Sequence, residues 1–246
     1  MNHIGVDGCK AGWIAVTKDC GELIYRIYPS AQNLVAAFPN AERILIDIPI
    51  GLPWREAPIR PCDRLAREVL GPRRSSVFPV PCRNAAYAES LEAARTANLN
   101  DLERSLPQQS WGICKKIAEI DGLLQREQRL RKIVREVHPE VCFWGLAGGS
   151  PMQHNKKTKG GLSERLTLVS KFEPGARHLL EQVLKTEMRK HVAADDVLDA
   201  LVAYVVSSQP HANLHAMQAE PLVDQTDLSI EMVYASAVSE NLIAPG

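Results

Sequence analysis

No long apolar run occurs in the 246 residues, and the N-terminus enters Ile4-Gly5-Val6-Asp7 without a basic region and apolar core ahead of it. Neither a signal peptide nor a membrane span is expected, which points to a soluble, cytoplasmic protein. The six cysteines, at 9, 20, 62, 82, 114 and 142, include no CxxC pair and no Cys/His spacing of the zinc type. Reduced, mostly packed thiols are therefore expected rather than a disulfide framework or a structural zinc. Ser75-Ser76 has no His and Asp near it in any triad order, which argues against nucleophilic serine chemistry. Internal repeats and low-complexity tracts are also missing. Net charge is zero, with 29 basic and 29 acidic residues, so the chain is not a general polycation. Its charges are nevertheless segregated: residues 55–83 carry seven Arg against three acids, 115–135 seven bases against three, and 151–191 nine against four. Residues 192–246 hold eight acids and no Lys or Arg. Such a distribution allows a local surface for an anionic ligand, although most of these charges fit ordinary solvated helix faces.

What is present centres on Ile44-Leu45-Ile46-Asp47-Ile48-Pro49-Ile50-Gly51-Leu52-Pro53, a run of branched apolar side chains holding one carboxylate. Proline and glycine stop its pairing, so it reads as a buried central strand, 43–47, leading into a rigid loop. Ile4-Gly5-Val6-Asp7-Gly8 is a second short apolar strand that also ends in Asp-Gly. As parallel neighbours, two such strands lie about 4.8 Å apart, and both carboxylates would face one spot. They repel unless a cation lies between them.

Strands are also expected at 13–16 and 23–28, followed by a helix capped by Ser30 with Leu34, Val35 and Phe38 on its apolar side. Residues 52–130 contain no confident strand; helices are expected at 63–70, 87–96 and 112–129. So long a helical excursion suits a lid or specificity element, or a packing cap on the sheet. A fifth strand is expected at 132–137, a helix from Pro139, and a mobile loop over the Gly- and Lys-rich 148–161. Helices at 162–171, 175–190 and 194–208 follow, and beyond Pro210 only an edge strand at 228–234. The pattern predicts an α/β fold with a mixed five-stranded sheet flanked by helices.

Asp196 and Asp199 are three apart on the last helix and so share a face, whereas Asp195 points elsewhere. First-turn acids complement a helix dipole, but that leaves unexplained two buried strands that also end in Asp. Asp7, Asp47, Asp196 and Asp199 together form a set of hard oxygen ligands, the type that suits Mg2+ or Mn2+. Two ions about 3.5–4 Å apart can activate water and steady the leaving oxygen in phosphodiester cleavage.

Along most of its length the sequence resembles domain of unknown function 429, a family regarded as predicted nucleases of the ribonuclease H-like superfamily. The motifs that carry the resemblance are Gly5-Val6-Asp7-Gly8-Cys9-Lys10-Ala11-Gly12-Trp13 and Ile46-Asp47-Ile48-Pro49-Ile50-Gly51-Leu52-Pro53. Arg60, Asp63, Arg67, Leu70-Gly71 and Ser75-Ser76-Val77-Phe78 continue it. So do Glu136-Val137-His138-Pro139-Glu140, Lys157, Gly161, Arg165 and Asp196-Val197-Leu198-Asp199-Ala200. The last is similar to the C-terminal acidic pair of Holliday-junction resolvases, and Asp7 to their first-strand Asp. The resemblance implies one ribonuclease H-like domain over 1–246, with 52–130 as a mostly helical insertion after the fourth strand. It also implies a divalent-metal-dependent nuclease of uncertain turnover, with Asp7, Asp47, Asp196 and Asp199 as catalytic metal ligands and Glu136 as a further candidate. Lys10, Arg60, Arg67, Arg73, Lys157 and Arg165 are the candidates for holding substrate phosphates.

Other functions remain open. Gly8 and Gly12 around Lys10 would suit a phosphate loop of an actin-like or sugar-kinase ATPase, but no second glycine-rich loop opens a duplicated half. A non-catalytic nucleic-acid-binding module is the third alternative. A nucleic-acid partner, no membrane partner and a homodimer complete the expectation. Glu136 also suits a structural role against Lys157 or Arg165. His138 suits proton transfer or a helix cap, and Trp111 and Trp144 suit packing.

Overall fold

The computed structural model describes residues 2–237. Its sheet has five strands: β1 (His3–Cys9), β2 (Gly12–Asp19), β3 (Glu22–Tyr28), β4 (Arg43–Ile46) and β5 (Val134–Glu136), in the order β3-β2-β1-β4-β5. The hairpins β1–β2 and β2–β3 are antiparallel, whereas β1–β4 and β4–β5 are parallel. This is the mixed α/β sheet the sequence predicts, with first and fourth strands adjacent and parallel. Helix α1 (Ala31–Ala37) is capped by the Ser30 side chain, which accepts from the Asn33 N–H at 3.1 Å.

Strand alternation decides which side chains meet which layer. Ile4, Val6, Ile44 and Ile46 point to the layer made by α1 and by α5 (Gln108–Arg126), while Leu45 points to the opposite layer. Asp7 and Asp47 share that second face by parity. The face is covered by α6 (Pro139–Leu146), α7 (Lys159–Phe172), α8 (Ala176–Thr186) and above all α9 (Ala194–Ser207). Every residue of α9 from Val197 to Ser207 is buried, as expected of a helix clasped on all sides. It lies directly on β1 at Gly5, where a β-carbon would strike the Ala200 carbonyl and the Tyr204 amide. That close approach fixes the height of α9 over the sheet, and with it the position of Asp199.

The region after β4 is helical as expected: α2 (Pro61–Leu70), a 3-10 segment to Ser76, α3 (Arg83–Ala86), α4 (Leu91–Leu102) and α5. A helix expected from Tyr87 begins instead at Leu91, because Ser90 caps it by accepting from the Ala93 N–H. Tyr87 ends α3, and its hydroxyl reaches Asp121 at 2.9 Å. The C-terminal segment holds more than one edge strand: β6 (Leu214–Ala216) pairs with β9 (Val233–Ala235), and β7 (Leu222–Val223) with β8 (Ser229–Ile230). It is stitched to the helical region through Asp224, which meets the Arg83 guanidinium at 2.6 Å and the Leu52 N–H at 2.9 Å. Among the described residues no helix is long and apolar enough to cross a membrane. The described cysteines are all free thiols, and all but Cys20 are buried.

Candidate functional site

Asp7 and Asp47 are brought together by strand register. Val6 pairs with Ile46 in the parallel ladder, and the Asp47 N–H donates to the Val6 carbonyl at 2.9 Å, so each Asp is the next residue after a paired position. Asp7 is buried, its Oδ1 accepting from the Gly8 N–H at 2.7 Å. Asp199 enters from α9 and is 2% exposed; its Oδ1 is buried without a hydrogen-bond partner. Asp196, one turn earlier, closes the first turn of its own helix by accepting from the Ala193 N–H at 2.9 Å. The capping role weighed for these acids thus belongs to Asp196.

Their electrostatics show the cost of the grouping. Burial holds the Asp7 carboxyl well above the usual carboxylate range, and the charges of Asp47 and Asp199 push it the same way. Burial, then Asp199, raises Asp47 to about 7, and burial raises Asp196 to about 6. Among the described residues the one cation bonded to the cluster is Lys156, whose Nζ donates to Asp199 Oδ2 at 2.6 Å. The Asp199 charge in turn pushes the Lys156 ammonium up, so it stays protonated. Sequence reasoning selected the neighbouring Lys157, which is exposed on the groove wall. Nothing in a loop without periodicity says which of two adjacent lysines turns inward.

The loop that carries Lys156 was expected to be mobile, yet it is tied at many points. Glu164 accepts from the Gln153 and His154 amides at 2.7 and 3.0 Å, and Arg165 Nη1 donates to the His154 carbonyl at 3.1 Å. Arg73 donates to the carbonyls of Met152 and Gln153. At Gly161 the loop lies so close that a β-carbon would strike the Asn155 carbonyl.

The bases proposed for substrate, together with two that sequence reasoning did not name, Lys115 and Arg189, divide into two groups. Arg165 makes a forked pair with Glu140, at 2.6 and 2.8 Å from Nη2, and both are buried. Arg60 is equally buried, between Glu136 and Asp63, and also reaches the Ile50 carbonyl at 3.2 Å. Glu136 therefore finds its counter-ion in Arg60 rather than in Lys157 or Arg165, and it also accepts from the Ile50 N–H at 2.6 Å. Arg67 donates to the Val77 carbonyl through two nitrogens. Lys10, Lys115, Lys157 and Arg189 are exposed around an open groove of about 1580 Å³, whose lining includes Asp7, Asp47 and Asp196. His138 lies in the groove wall, its Nε2 3.2 Å from the Ser76 carbonyl, and burial lowers its pKa so that it is neutral near pH 7. Trp144 packs edge-on against Tyr234, and Trp111 lies against the cluster of α3, α4 and α5.

Among the described residues no three His, Cys, Asp or Glu side chains already converge as a metal site. The donor set still suits a hard divalent ion: several carboxylates from three elements, one oxygen of Asp199 without a partner, and repulsion only partly offset by Lys156.

The model of one family, protein of unknown function (DUF429), matches residues 5–217. The chain belongs to this family. No curated protein and no solved structure matches it. The matched span runs from β1 through β6 and so includes all four carboxylates and Lys156.

Proposed function

We propose that this DUF429 protein is a divalent-metal-dependent hydrolase of phosphodiester bonds in nucleic acid. The observation that carries the proposal is the grouping of Asp7, Asp47 and Asp199, close enough to raise one another's pKa, with Asp7 and Asp47 in the groove lining and the Lys156 ammonium bonded to Asp199. Mg2+ or Mn2+ bound there would lower the pKa of a water and steady the leaving oxygen. The carboxylates of Asp7, Asp47, Asp196 and Asp199 would hold the ion, and the β1/β4 register and the seating of α9 on Gly5 keep them in place. Lys10, Lys115, Lys157 and Arg189 face the groove opening, where they would take up backbone phosphates flanking the reacting one.

A nucleotide-phosphate loop at Gly8 fits less well. Beside Gly8 lies the Lys116 side chain, its Cδ 2.7 Å from where a β-carbon would sit, and its ammonium is engaged by the Gly12 carbonyl rather than turned to a phosphate. Lys116 is itself held by the Gly12 carbonyl and by the Trp13 ring, 4.3 Å from the centroid.

The test is incubation of the full chain with labelled single- and double-stranded DNA and RNA oligonucleotides, with Mg2+ or Mn2+ or with chelator, beside Asp7→Asn. Cleavage is expected only with the ion, and the variant should lose roughly 10⁴-fold or more, the scale for one member of a catalytic unit. Hydrolysis of ATP without cleavage of any oligonucleotide would replace this reading with the phosphotransferase one.

A further inference from the structure

We infer that Lys156 is a built-in cation of the carboxylate cluster, filling the place of a second divalent ion, so that the site takes a single Mg2+ or Mn2+. The inference rests on the metal-dependent reading above and narrows it, since the sequence alone suggested two ions.

Three observations carry it. Lys156 Nζ is bonded to one oxygen of Asp199, while the other oxygen of that carboxylate is buried and unpartnered. Asp199 thus has one oxygen on an ammonium and one buried oxygen without a partner. Next, the loop presenting Lys156 is held by Glu164, Arg165 and Arg73, and by its contact with Gly161. An ammonium on so fixed a loop is a part of the site rather than a tether that swings away. Finally, four carboxylates with one ammonium leave three net negative charges. One divalent ion leaves one net negative charge and two leave one net positive, so the count alone does not separate them; a second ion would however lie beside the bound ammonium, and like charges at such separations repel strongly in a buried site.

The groups facing Lys156 come from every packed element: Asp7 from β1, Asp47 after β4, Glu140 and His138 at the start of α6, and Asp196 and Asp199 from α9. All but His138 are acids. Among the described residues the Lys156 ammonium is the positive charge bonded to the cluster; Arg165 is committed to Glu140, and Lys116, which feels Asp7 and Asp196, is bonded to the Gly12 carbonyl.

The experiment counts Mn2+ bound to the full-length protein by calorimetry and by electron paramagnetic resonance of free ion. Wild type is expected to bind one ion per chain, Lys156→Arg also one, and Lys156→Ala and Lys156→Met a second ion of comparable affinity. Two ions on wild type, one ion on both neutral variants, or no ion on any of them would overturn the inference. In case the neutral variants do not fold, acetylation of wild-type lysines followed by peptide mass spectrometry tests it without substitution. Lys156 should be acetylated no more than twofold faster with saturating Mn2+ than without. A tenfold rise would make the lysine a displaceable plug and sink the inference. Oligonucleotide cleavage by a two-ion protein would leave the proposed function standing without this inference, and a one-ion protein that cuts nothing would do the reverse.

Discussion

Two groups of buried acids lie side by side at the carboxyl end of the sheet, and they are balanced differently. Glu136 and Glu140, at the end of β5 and the start of α6, each face an arginine that is itself buried. Of Asp7, Asp47, Asp196 and Asp199, Asp199 alone is ion-paired among the described residues, with Lys156. In the first group each acid is bonded to an arginine within the protein, although burial still raises Glu136 to about 8 and Glu140 above its ordinary value. In the second, burial raises the acids as well, and the charges of neighbouring aspartates add to it with no arginine bonded to any of them among the described residues. A fold that needed only counter-ions had the means to supply them a few residues away. On the proposed function, a cation from solution would be the partner that the second group lacks.

The largest effect expected from breaking this contrast falls on the balanced group. Arg165→Met leaves Glu140 buried and alone, and should cost about 3–5 kcal/mol in chemical unfolding, the scale for removing one partner from a buried pair. It also frees the His154 and Gly161 carbonyls that Arg165 holds. Asp47→Asn in metal-free protein should cost nothing or stabilise, because it removes a repelled charge. Should the two substitutions destabilise alike, the acidic group is as structural as its neighbour.

The contrast also has a pH signature. An ordinary aspartate titrates near 3.8, whereas Asp47 in the folded protein holds its proton to about 7. Between those values the native state binds a proton that the unfolded chain has lost, so stability falls as pH rises through this window. In chelator, the unfolding free energy of wild type relative to Asp47→Asn should therefore drop by roughly 1 kcal/mol per pH unit between about pH 5 and 7. Saturating Mn2+ should abolish or reverse that trend, because only the ionised ligands coordinate. A flat difference in chelator would mean that Asp47 is already ionised and paired.

The sequence carried the fold and the carboxylates further than it carried their surroundings. Period-two alternation put Asp7 and Asp47 on one face, and the Asp-Gly and Asp-Ile-Pro strand ends placed them at one edge; both are local signals. The i, i+3 spacing likewise joined Asp196 to Asp199. Ion-pair partners are set by tertiary packing and leave no such trace. Arg60 and Arg165 looked like phosphate ligands until burial beside Glu136 and Glu140 engaged them, and Lys156 was indistinguishable from Lys157. The paired strands after Pro210 escaped notice because two- and three-residue strands are too short for alternation to show. The anchoring of that segment by Asp224 to Arg83 joins residues 141 positions apart.

The smallest expected effect separates the two kinds of base. Lys10 and Lys157 are exposed at the groove and make no ion pair among the described residues. Replacing either with Ala should change stability by no more than about 0.5 kcal/mol, as for surface sites away from special features. If these lysines meet backbone phosphates, each neutralises one charge and releases its counter-ion. Oligonucleotide affinity, measured in chelator so that no cleavage intervenes, should then weaken uniformly across sequences. The slope of log affinity against log salt should become shallower by about 0.7–0.9 per lysine. The double variant should lose about twice that, because separate phosphate contacts add. An unchanged slope in the double variant would show that nucleic acid does not approach along this rim. The acidic floor would then have to serve a smaller anionic substrate, one that the ion alone can hold.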